Sequence, residues 1–111
     1  IVPIFPGCEK QLNNKLLKKC LSDNLSKLIV KNFNTELAAN LGVIGRQKVI
    51  LSFKIDKKGN IIYPKAKTLI PILEREAIRV INLIPKMKPG IQWGKSVIVP
   101  YSLPLVFQIQ N

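Results

Sequence analysis

The sequence has no histidine. That removes the commonest general base and rules out a serine–histidine relay, since no hydroxyl here has a base nearby. Asp and Glu number six against eighteen Lys and Arg. Six carboxylates scattered among charges of the opposite sign are a poor set for acid–base chemistry. Glycines at 42 and 45 fit no phosphate-cradling loop. These absences point away from an enzyme. Cysteine occurs twice, as Cys8 and Cys20. Without histidine, two cysteines cannot complete a usual tetrahedral zinc site, and no CxxC pair is present for redox work. A disulfide and two buried thiols both remain open. No cofactor and no metal is expected. Apolar runs stay short, as in Leu28-Ile29-Val30, far below a membrane span of about 20 residues. No signal peptide is visible and Ile1 is not a start methionine, so the chain reads as a piece of a longer protein with any anchor upstream.

Positive charge and an apolar core are both present. The net charge is +12 and hydrophobic residues make up 47% of the 111 residues. That suits one folded domain with a modest core rather than a disordered tail. Lysine supplies most of the charge and is spread along the whole chain, which reads as a solvated surface. Arginine is limited to Arg46, Arg75 and Arg79, few for a phosphate reader. The nucleic-acid class therefore rests on net charge alone, and no nucleic-acid partner is expected.

Residues 1–10 read as an extended lead-in, with Pro3, Pro6 and Gly7 against a helix. Residues 11–42 read as helical. Leu12, Leu16, Cys20, Leu21, Leu25, Leu28 and Ile29 recur at helical spacing over about 11–31, with a break allowed near Ser22-Asp23-Asn24. Such a basic amphipathic helix is expected to cover one side of a sheet. A short second helix fits Glu36 to Asn40, closed by Gly42. The period then becomes two. Val49, Leu51, Phe53 and Ile55 alternate with Lys48, Ile50, Ser52 and Lys54. Asp56 to Asn60 is a turn, and Ile61 to Thr68 returns, so 46–68 is a hairpin. Pro64 marks the second strand as an edge. Pro71 opens a helix over 71–84, which carries Glu74 and Glu76 near the favourable end of its dipole. Residues 86–94 read as a connection, and 95–109 as one long strand. A right-handed crossover puts that third strand beside the first. The fold class is α+β: a three-stranded antiparallel sheet, order 2-1-3, with helices packed on one face.

Several motifs follow one another in a specific order. Leu73 to Ile81 contains Glu76-Ala77-Ile78-Arg79. Pro85-Lys86-Met87-Lys88-Pro89-Gly90, Gly94-Lys95 and Tyr101-Ser102-Leu103-Pro104 with Phe107 come after it. The hairpin adds Gly45, Val49, Phe53, Ile55, Asp56, Gly59 and Ile61, and Phe5-Pro6-Gly7-Cys8-Glu9 opens the chain. Together they resemble the TonB C-terminal domain family over nearly the whole length. Phe33 to Ala38 departs from the family's Tyr-Pro-x-x-Ala segment, with a longer insertion around it.

The resemblance implies a single TonB C-terminal-like domain over 1–111 in the periplasm. Its parent would be an energy transducer anchored in the inner membrane of a Gram-negative bacterium. The implied partner is the TonB box peptide of outer-membrane TonB-dependent receptors. The missing N-terminal part would meet the inner-membrane proton-motive-force complex and couple it to uptake. A periplasmic home also favours the Cys8–Cys20 disulfide. A TonB-like scaffold or sensor domain of another membrane protein, such as a TonB-domain peptidase, is the alternative. The implied capture mode is strand addition beside the last strand, at Ser96, Ile98, Pro100, Ser102, Pro104 and Val106. Pro100 and Pro104 either guard that edge against aggregation or set the register of the incoming peptide, with Ile98, Ser102 and Val106 as donors. Free edges of this kind also allow a strand-exchanged homodimer.

Overall fold

A computed structural model describes residues 1–109. Three helices and five strands follow the order α1 (Asn14–Asn32), α2 (Glu36–Ala39), β1 (Gly45–Ile55), β2 (Ile61–Lys67), α3 (Pro71–Ile81), β3 (Gly90–Gln92), β4 (Lys95–Val97) and β5 (Val99–Ile109). The main sheet runs β2-β1-β5 and is antiparallel throughout. This is the order that the period-two segments and the right-handed crossover require. Val49, Leu51, Phe53 and Ile55 are buried on one side of β1. They meet Leu73, Ala77, Val80 and Ile81 of α3, which lies across β1 and β2.

The helical half differs from the sequence reading in where α1 begins and in which residues it buries. Helix α1 is continuous through Ser22-Asp23-Asn24 and begins at Asn14, because the Asn13 side chain accepts a hydrogen bond from the Leu16 N–H at 2.9 Å and caps it. Its buried stripe is Leu17, Leu21, Leu25 and Ile29, whereas Leu12 and Leu16 are exposed. The helix packs against α3, and Phe33 at its end meets Phe107 of β5.

The C-terminal part differs too. The expected strand over 95–109 is interrupted at Ile98. Lys95–Val97 pairs instead with Gly90–Gln92, in a segment expected to be a plain connection. Trp93 (φ 54°) and Gly94 (φ 75°) turn this small hairpin, both in the left-handed region that two-residue hairpin loops demand. The helix expected over 71–84 ends at Ile81.

The lead-in is tied down at both ends. Ile4 exchanges backbone hydrogen bonds with Lys88 (3.0 and 3.2 Å), and the Ile91 N–H donates to the Ile1 carbonyl at 2.8 Å. Cys8 and Cys20 form a disulfide. It joins the lead-in to α1, and Asn24 Nδ2 donates to the Cys20 carbonyl beside it at 2.8 Å. Closing a loop of this size is worth about 3 kcal/mol.

One glycine is dictated by a close approach. Gly59 has φ +86°, and a Cβ there would lie 1.6 Å from the Met87 carbonyl oxygen. The β1–β2 turn can therefore touch the segment after α3, and the Met87 N–H donates to the Gly59 carbonyl at 3.0 Å. Asp56 Oδ1 accepts from the N–H groups of Lys58 and Asn60, which holds the turn and draws its carboxyl below the usual carboxylate range, chiefly through Asn60.

Candidate partner-binding edge

Strand β5 pairs with β1 without a slip over its whole length, from Val99↔Ile55 to Ile109↔Gly45. Its inward face explains why it stays in place. Leu103, Phe107 and Ile109 are buried. The Tyr101 ring stacks on Phe53 with centroids 5.6 Å apart, and Phe107 stacks on Phe33, the residue that ends α1, at 4.3 Å. On the other face lie Pro100, Ser102, Pro104, Val106 and Gln108, all exposed.

Pro100 and Pro104 oppose Lys54 and Ile50, so they share one parity of the ladder. In an antiparallel pair, alternate residues turn their N–H and C=O groups toward the neighbour and away from it. A proline cannot donate, so the ladder to β1 is best carried by the odd-numbered residues of β5. Ser102 and Val106 then turn N–H donors outward, with nothing paired on that side of β5 among the described residues.

Two of the six residues expected on this edge lie elsewhere. Ser96 belongs to β4, opposite Ile91, and Ile98 sits at the interruption between β4 and β5. The continuous edge holds Pro100, Ser102, Pro104 and Val106. Sequence alternation ran on through Ile98 without a visible break. The signal that could have found the small hairpin was Trp93-Gly94, flanked by short apolar alternation.

A polar device missed in the sequence sits behind this region. Glu76, 5% exposed, is the buried charged residue of the core. Its Oε2 accepts from the Asn34 N–H at 2.7 Å, and Arg79 donates to both of its oxygens at 2.7 Å. Arg79 also donates to the Asn32 carbonyl at 2.8 Å. The pair thus locks α3 to the connection between α1 and α2. The Arg79 hydrogen bonds hold the Glu76 carboxyl below its ordinary range despite burial, and raise Arg79 in turn. Glu74, expected to play a similar helix-end role, is exposed.

Among the described residues no group of Cys, Asp and Glu could hold a metal ion, and no helix is long and apolar enough to cross a membrane. The architecture is that of a small α+β domain whose main sheet ends in β5, a long strand with nothing paired on its outer side among the described residues. The family described as Gram-negative bacterial TonB protein C-terminal matches residues 36–109. The chain belongs to that family, one of non-enzymatic, periplasmic, transport-related domains. The lead-in, the disulfide and α1 precede the matched residues. No curated protein and no solved structure matches the chain.

Proposed function

We propose that this domain binds an extended segment of an outer-membrane receptor, of the TonB box kind, by strand addition to β5. Through upstream parts of its parent protein it couples proton motive force to uptake. The free, unslipped edge of β5 carries this reading. Strand addition needs a straight edge with outward donors, and main-chain hydrogen bonds then supply the grip. Ser102 and Val106 are the donors. Pro100 and Pro104 fix where the incoming strand finds none, which sets its register and discourages pairing between copies. Family membership supports the receptor class of partner.

The test is calorimetric titration with peptides covering N-terminal segments of receptors from the same genome. Ser102→Pro removes one outward donor at an exposed position. Affinity is expected to fall roughly tenfold or more, the scale of about 1.4 kcal/mol for a lost hydrogen bond. The circular dichroism spectrum should not change. Unchanged affinity contradicts the reading.

A further inference from the structure

The three strands of the main sheet contain no carboxylate, yet they carry five cations on one face. Arg46, Lys48 and Lys54 alternate on β1 with the buried residues, so they project away from the helices. The register places Lys65 and Lys67 of β2 opposite Ser52 and Ile50, on that same open face. The carboxylates all lie elsewhere, at Glu9, Asp23, Glu36, Asp56, Glu74 and Glu76. Among the described residues the one ion pair is Arg79–Glu76 in α3. The open face therefore holds a field of one sign, unlike a mixed solvated surface.

This face continues to the β5 edge. Lys54 stands opposite Pro100, and Lys48 opposite Val106. Between them β5 presents Ser102 and Pro104, which are short. A strand added outside β5 would lie about 10 Å from β1, two strand spacings. Nothing tall on β5 separates its open-face side chains from those two lysines. Lys54 Nζ now lies 5.7 Å from the Tyr63 ring centroid, an exposed contact it can leave. A shallow recess opens at the same place, with Ser52, Lys54, Tyr63, Lys65, Pro100 and Ser102 among the residues that line it. On the opposite face, the added strand would run beside Leu103, Leu105 and Phe107.

Resting on strand addition to β5, we infer that the segment this domain selects is an acidic amphipathic strand. Carboxylates occupy alternate positions toward the basic open face, and apolar residues occupy the positions between them. The two-residue side-chain period of a strand makes this a single condition on sequence. Charge complementarity then contributes selectivity and association rate in addition to the main-chain grip.

The test uses the 111-residue chain and two synthetic peptides, one alternating valine with aspartate and one alternating valine with asparagine. The aspartate peptide should bind roughly tenfold more tightly at low salt, the sum of a few exposed charge pairs. The gap should close in Lys48→Glu/Lys54→Glu and shrink as salt rises. Equal affinity for the wild type, including no binding by the aspartate peptide, overturns the inference. Binding of phosphatidylglycerol vesicles, lost in the same variant and without a gap between the peptides, assigns the face to a lipid surface and also overturns it. Ser102→Pro separates this from the reading it rests on. If that variant loses both peptides while the wild type binds them equally, charge selection alone fails. If it retains both, strand addition fails.

Discussion

The two outer strands of the main sheet both carry proline, but they use it differently. On β2, Pro64 follows Tyr63, which has φ 52°. The register slips between Ser52 and Lys54, so the pair forms a bulge. On β5, Pro100 and Pro104 sit in an unbroken ladder. A bulge makes β2 a poor template, whereas β5 keeps its register and carries donors between its prolines. Proline in a strand therefore signals an edge, but parity and register decide whether that edge keeps outward donors between its prolines. The sheet has one edge broken by a bulge and one edge that keeps an unbroken register with outward donors.

The largest expected effect concerns the frame that holds both edges. Replacing Cys8 and Cys20 with serine should lower unfolding free energy by about 3 kcal/mol, measured by urea denaturation. Peptide affinity at β5 should not change, since the disulfide touches neither edge. A parallel loss of affinity would show that the β5 edge depends on the lead-in.

Next comes the Glu76–Arg79 lock. Glu76→Gln should cost about 2 kcal/mol, the scale of a buried charge-assisted hydrogen bond. Its pH dependence has a definite sign. The folded-state pKa is lowered, so the contribution of Glu76 is fully present above the ordinary carboxylate pKa of about 4.3. It is lost as pH falls through the lowered folded value. Acid titration of stability should therefore be shallower in Glu76→Gln than in the wild type below that range.

Proline placed on each edge in turn distinguishes β2 from β5. Ala66 of β2 opposes Leu51, and by the same parity its N–H turns outward. Ala66→Pro should leave peptide affinity within about twofold, whereas Ser102→Pro lowers it roughly tenfold, about 1.4 kcal/mol. Equal effects from the two variants would mean that the sheet has no preferred edge. The smallest effect is expected at the bulge. Tyr63→Asn keeps a residue that tolerates the left-handed region, and should change stability by about 0.5 kcal/mol at most.

The amphipathic strands and α3 were legible because their periods are clean. Val49 to Ile55 alternates strictly, and Pro71 marks a helix start wherever the surroundings permit one. The stripe on α1 was misread because two leucine series compete. Leu12-Leu16-Cys20 and Leu17-Leu21-Leu25-Ile29 both have helical spacing, and the cap at Asn13 together with packing on α3 selects the second. Glu76 looked like a helix-dipole residue because its partner Asn34 is 42 residues away in sequence. The β3–β4 hairpin escaped notice because each strand is three residues long and a tryptophan takes a turn position usually held by Asn or Gly. Trp93, 92% exposed, has no core role that the alternation could have announced. The edge site was legible in part. The prolines and Ser102 stand where alternation put them, while Ser96 and Ile98 fell off the edge at an interruption that no residue type marks. Lysines spread through the chain read as solvation until the register collected five sheet cations on one face.

Addition of a partner strand to β5 can be read residue by residue from amide hydrogen exchange of the domain with and without a binding receptor peptide. Ser102 and Val106, whose N–H groups turn outward in the unbound domain, should become protected together, while Ala66 on β2 is unaffected. Protection at Ala66, or none at Ser102 and Val106 under saturating peptide, would contradict it.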